Sequence, residues 1–347
     1  MPAPVLASGS VAETNRREIG IDLLRIVATL AVVLIHVHLE LVPDVALQPW
    51  LRAPARFVVP TFFALSGYFL PRRDGLPDGA ARRIPRLVRI YVLAWLLFLP
   101  FALMQQRAPS LLQLLVGGTW FHLWFLPALI FGLAATEAIV RLPGARWWFW
   151  TLSVGVLIAL VWCDAVLQMH GRGDEQARRA VVAFRFLQAM PMIWIGFGLA
   201  RANLGLRAGL AIFLGGCAVL VAQMAWFASL GIVAADPEYP ASALPMTIGL
   251  IVIARHLSAP LTARPRLAKK LTQAGARWSL PVYLLHPAAI VILDRLCLLL
   301  HWPSALMVYA EIALLGPAML VGFCLLDRYL PWLVDIMGGS WRTPRRT

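Results

Sequence analysis

The sequence predicts an all-α membrane protein, a bundle of about ten transmembrane helices with both termini cytoplasmic. Three observations lead there. The 347 residues are 60% hydrophobic and only 14% charged, far less charge than a soluble domain of this size carries. Apolar runs of about 20 residues, the length that crosses a bilayer, recur along the chain. When alternate loops are assigned to opposite sides, 22 of the 31 Lys and Arg fall on one side, while Arg25, Arg185 and Arg295 fall inside spans. The positive-inside rule makes the rich side cytoplasmic. The net charge of +14 is then loop charge retained inside, and nucleic acid is excluded as a partner: there is no basic domain with interleaved aromatics and no zinc-finger spacing.

Taken in order, residues 1–18 form a polar tail without the apolar core of a signal peptide, so Ile19 to Val42 reads as an uncleaved first span. Further spans are expected at Phe57 to Leu70, Ile90 to Met104, Trp120 to Val140, Trp147 to Leu167 and Val181 to Ala200. The last four are expected at Ala208 to Leu230, Ala241 to Ile253, Leu280 to Leu300 and Ala305 to Leu326. The eighth, Ala241 to Ile253, is the shortest. The spans define one transmembrane unit, 19–336, followed by a basic tail, 337–347. Pro71 to Arg89 reads as a cationic loop. No internal repeat suggests the inverted halves of a transporter. Cys163, Cys217, Cys297 and Cys324 lie in or beside apolar segments without CxxC or His clustering, and read as small buried hydrophobes.

The first span carries more ionisable chemistry than an anchor needs: Asp22, Arg25, His36, His38 and Glu40. At 100° per residue, Arg25 and His36 fall within about 20° of each other on the helix. Asp22, Thr29 and Glu40 lie near the same line, and His38 points to the far side. Intramembrane charges are costly and mark cavities and function. In this topology Arg25 is near the inner end and His36 lies about 16 Å further out. An imidazole is the natural general base near neutral pH, and Glu40, one turn on, is placed to orient it; the alternative is a His that merely bonds within the bundle.

Other residues carry weaker signals. Arg86 and Arg89, three apart where the third span begins, suit recognition of phosphates by paired guanidiniums, against an alternative of plain inside charge. Neither a Walker loop nor GxGxxG is present. Ser66 precedes Gly67, where the backbone can be approached closely; lacking a GxSxG elbow, Ser66 reads as a packing or ligand-lining residue. His122 and Trp124 precede Pro127 and fit an interfacial aromatic belt or a ligand wall. His286, before Pro287, falls in the inner half of the ninth span by residue count, structural or ligand-lining. Arg185, Asp294 and Arg295 are charges that need partners. His36 and His38 face opposite sides, so no structural metal is expected.

Five segments in this order resemble the acyltransferase 3 family of bacterial membrane proteins: IDLLRIVATLAVVLIH (Ile21 to His36), PTFFALSGYFL (Pro60 to Leu70), RLVRIY (Arg86 to Tyr91), HLWFLPALI (His122 to Ile130) and YLLHP (Tyr283 to Pro287). The resemblance implies a ten-helix bundle of the inner (plasma) membrane that moves an acyl group, usually acetyl, from cytoplasmic acyl-CoA to a hydroxyl of a surface or exported carbohydrate. It implies acyl-CoA as co-substrate and no tightly bound cofactor. By match, Arg25 and His36 are similar to the family's first-helix Arg and essential His, and Arg86 and Arg89 to its RxxR donor pair. Val92 stands where many members have proline, so Arg83 with Arg86 is the other register. A transporter or flippase of a lipid-linked sugar, using the same charged interior without covalent chemistry, is the alternative function.

Overall fold

The computed structural model describes residues 18–38, 41–42, 44, 47–104, 115–171, 175–232 and 235–338. It is 81% helical. Among the described residues, eight helical stretches are long and apolar enough to cross a membrane. The first helix, α1 (Ile19–His36), packs on α10 (Ala243–Thr262). After it come α2 (Gln48–Arg52) and a 3₁₀ turn (Ala53–Phe57), where the sequence suggested loop, and then α3 (Val58–Tyr68), which makes up most of the second predicted span. Prolines at positions 49 and 54, near the start of the first two pieces, go with this segmentation, since proline lacks the N–H of a continuing helix.

The cationic loop contains a hairpin, β1 (Arg72–Arg73) against β2 (Leu76–Pro77), an exception to the all-α expectation. Its turn is Asp74-Gly75, with φ of 52° and 80°, the left-handed pair that a tight hairpin turn needs and that this dipeptide supplies. The helix α4 (Ile84–Met104) then starts six residues earlier than the predicted third span, so the inner arginines stand on helix rather than in a loop. Four helices follow: α5 (Phe125–Ile139), α6 (Ala145–His170), α7 (Glu175–Leu187) and α8 (Ala189–Leu199). Trp147, Trp148 and Trp150 are exposed at the start of α6, as an interfacial belt requires.

The remainder comprises α9 (Leu206–Ser229), α10, the amphipathic α11 (Pro265–Thr272), a π-helical turn (Gln273–Trp278) and α12 (Ser279–Leu299). The last elements are α13 (Ser304–Ala310), a second π turn (Glu311–Leu315), α14 (Gly316–Tyr329) and α15 (Pro331–Met337). The eighth predicted span, the shortest by sequence, is a full 20-residue helix in α10: the polar Arg255, His256 and Ser258 ended the hydropathy signal before they ended the helix. Of the four cysteines Cys297 alone is buried, and Cys324 is exposed.

The core is held by backbone-to-backbone proximity. The α3 and α8 helices touch through Gly67 and Gly196: an added Cβ at Gly67 would overlap the Ile193 carbonyl, and one at Gly196 would overlap the Ala64 carbonyl. Small residues give membrane helices their closest packing. The sequence reading of Gly67 as a point of close approach holds here. Gly196→Leu is expected to cost about 3 kcal/mol or more through overpacking, read as a lowered melting temperature of the detergent-solubilised protein; a wild-type melting temperature would contradict this packing.

Candidate functional site

A cavity of about 300 Å³ opens beside the end of α1. Its wall is assembled from six distant parts of the chain: Val32, Ile35 and His36 of α1; Arg56, Val59 and Pro60 around the start of α3; Phe121 to Phe125; Arg185 and Gln188 at the α7–α8 junction; Glu238 and Tyr239 before α10; and Tyr283 of α12. His36 is the last residue of α1, and Val37 is already extended with ψ of 161°. The helical phase therefore does not reach Glu40, which lies outside the described residues. Among the described residues none hydrogen-bonds the His36 ring. Phe121 packs against it at 4.9 Å between ring centroids and His286 stacks on it at 5.1 Å.

Pro287 explains how His286 is held. Proline has no N–H to give the carbonyl four residues back, so the Tyr283 carbonyl is short of its helical donor, and the Nδ1 of His286 donates to it at 2.6 Å. His122, edge-on to His286 at 5.2 Å, donates from Nε2 to the Leu284 carbonyl at 3.2 Å. Carbonyl oxygens only accept, so both tautomers are set: Nε2 of His286 and Nδ1 of His122 keep their lone pairs, and among the described residues no group meets either. The Tyr283 hydroxyl in turn donates to the His122 carbonyl. His286 thus stands level with His36, at the C-terminal end of α1.

Paired charges back one side of the wall. Asp236 bridges Arg52 at 2.9 Å and Arg56 at 2.8 Å. Burial alone would push its carboxyl up, but the Arg56 and Arg52 guanidiniums outweigh this and hold it below the usual carboxylate range. Arg185 pairs with Glu238 at 2.5 Å and lies over the Trp124 ring at 4.3 Å, which gives this intramembrane arginine its partner. Asp164 of α6 fixes the same loop by accepting the backbone N–H groups of Glu238 and Tyr239 at 3.1 and 2.9 Å.

Toward the N-terminal end of α1, Arg25 pairs with Asp22 at 2.9 Å and sits over the Phe69 ring. Thr29 bonds the Arg25 carbonyl. Arg83 donates to the carbonyls of Ser66 and Phe69 and feels the charges of both Arg25 and Arg86. Arg86 donates from Nε to Gly338 at 3.0 Å. Arg89 instead turns back onto its own helix, at the Pro85 carbonyl. The inner arginines that gather are therefore Arg25, Arg83 and Arg86. The Ser66 hydroxyl is bonded to Phe62 within α3, and Ser66 is not part of the cavity wall.

His38, beyond the last helical residue, is not part of the cavity wall. Its backbone N–H and its Nδ1 both meet the buried Glu311, at 2.8 and 3.0 Å. Asp294 adjoins, so that one ligand atom from each of His38, Asp294 and Glu311 lies within 4.8 Å of the others. This brace fixes where α1 ends. Sequence reading missed Arg56, Gln188, Glu238 and Tyr239, because nothing local links positions 56, 188 and 238.

Fold and site together define a multi-pass membrane protein whose helices surround a histidine-bearing cavity, with a cluster of arginines about three helical turns away along the same helix. Residues 18–328 match the family described as "Acyltransferase domain", and the chain belongs to this acyltransferase 3 family. It is also similar over shorter stretches to a serine/alanine racemase of Enterococcus gallinarum, 33% identical over 157 residues that make up 41% of this chain and 22% of that protein. An amino-acid racemase of Enterococcus faecalis is 30% identical over 150 residues, 38% of this chain and 21% of that protein. The chain thus aligns with about a fifth of the length of these relatives. No solved structure matches it significantly.

Proposed function

We propose that this acyltransferase is an O-acyltransferase of the inner (plasma) membrane, with ten spans and both termini cytoplasmic, that moves an acyl group, acetyl by first choice, from cytoplasmic acyl-CoA to a carbohydrate hydroxyl. The observation that carries the reading is the placing of His36: its ring stands on the wall of the cavity, and Arg25, on the same helix, joins Arg83 and Arg86 about 16 Å away. An extended pantetheine arm bridges such a gap, with the CoA phosphates at the arginines and the thioester at the imidazole. Guanidinium groups bind phosphate oxygens in a fork.

In the reaction His36 takes the proton of the acceptor hydroxyl as its oxygen attacks the thioester carbonyl. The tetrahedral intermediate collapses with cleavage of the C–S bond, and the departing CoA thiolate takes the proton back from the imidazolium. Arg25 is held by Asp22 and anchors the inner end; Trp124 walls the acceptor side. His286 supports the His36 ring by stacking. Purified wild-type protein given acetyl-CoA and a glycan acceptor should release CoA and acylate the glycan, and His36→Ala should do neither. Movement of a lipid-linked sugar with no CoA release would favour the flippase alternative.

A further inference from the structure

We infer that the cavity beside His36 takes an uncharged polyol, a neutral sugar, as its hydroxyl acceptor, and that Gln188, Arg185 and His122 are its binding residues. This deepens the acyl-transfer reading and rests on it.

The first argument is charge. The charged residues that line the cavity are Arg56, Arg185 and Glu238. Arg56 is bridged to Asp236, which Arg52 also holds, and Arg185 is bridged to Glu238. A wall whose guanidiniums are already paired in this way sets carboxylates against an anionic sugar. A cationic sugar meets guanidiniums in the same way. Like charges brought together in a dry site are strongly disfavoured, so the wall selects against net charge of either sign.

The second argument is the pattern of unmet polar atoms. Gln188 is 2% exposed, and its amide nitrogen donates to the Arg185 carbonyl at 2.8 Å. That fixes the amide and leaves its Oε1 buried with no protein donor. Arg185 gives Nη1 to Glu238 and its face to Trp124, while its Nε is buried and unmet. His122 gives Nε2 to Leu284 and leaves Nδ1 unmet. All three residues line the cavity. Native proteins leave few such atoms without a partner, and here an acceptor, a donor and a second acceptor share one wall. Neighbouring hydroxyls, each able to give and take a hydrogen bond, complement that set. The Phe121 ring offers an apolar face to a pyranose.

The test uses the full-length purified protein with acetyl-CoA and paired probes: the methyl glycosides of glucose and galactose against those of glucuronic and galacturonic acid, read as acetylated product. The wild type is expected to acetylate the neutral member of each pair at least about tenfold faster in kcat/KM. Gln188→Leu is expected to raise KM for the neutral glycosides about tenfold, the size of one lost buried hydrogen bond. Glu238→Gln, which leaves Arg185 without its carboxylate, should narrow the neutral-over-uronide preference by a similar factor. Equal or better use of the uronides, an unchanged KM in Gln188→Leu, or acetylation of neither class by a protein that still releases CoA would each overturn the inference. Absence of any His36-dependent CoA release would instead overturn the acyl-transfer reading beneath it.

Discussion

His36→Ala is expected to lower acyl transfer by about 10² to 10⁴, the usual worth of a positioned general base, in a protein that still inserts and still binds acyl-CoA. The expectation rests on position. The imidazole is the last residue of α1 and stands on the cavity wall, whereas the arginines that would hold the donor lie about three helical turns away, Arg25 on the same helix and Arg83 and Arg86 on other elements. His38→Ala should behave in the opposite way. His38 holds one oxygen of the buried Glu311 carboxylate through its ring, and loss of that partner costs about 1–3 kcal/mol. The melting temperature should therefore fall, while activity per folded molecule survives. Transfer assays and thermal melts on both variants at matched expression separate the two. A dead His38→Ala beside an active His36→Ala would move the chemistry to the other side of α1.

The second large effect is expected at the donor end. Arg83→Gln and Arg86→Gln together should raise the KM for acyl-CoA about 100-fold, since each charge-assisted hydrogen bond to a phosphate is worth about 1.5–3 kcal/mol. Arg86→Lys should recover only part, because an ammonium lacks the fork. Arg89→Gln should change donor KM little, because that side chain lies exposed along its own helix. Titration of acyl-CoA against the three variants checks this, and an Arg89 effect as large as that of Arg83 would restore the other register.

How much of this was legible in the sequence varies from residue to residue. The stripe of Asp22, Arg25, Thr29 and His36 was, because helical phase within one regular helix is a local property. Arg83/Arg86 and Arg86/Arg89 have the same spacing, so no local rule chooses between them; the proposal for the first pair rests on Arg83 being turned toward Arg25 and the α3 carbonyls. The phase argument for Glu40 assumed that α1 continued. The helix stops because a carboxylate 273 residues later takes the His38 backbone N–H, and hydropathy carries no trace of that bond. His286 could have been placed better from the sequence alone, since the proline after it frees a carbonyl within reach of its ring. The Arg185–Glu238 pair could not: the sequence showed that Arg185 needed a partner but not where along the chain to find it.

The central claim is that an acyl group passes from a donor held at the arginine end of α1 to a hydroxyl at the cavity end. Proteoliposomes with the protein in one orientation, acetyl-labelled acetyl-CoA on the Arg83/Arg86 side and a neutral glycan on the other test it most directly. The account expects labelled glycan on the far side, dependent on His36. Label found only as free acetate, or glycan labelled equally by His36→Ala, would contradict it.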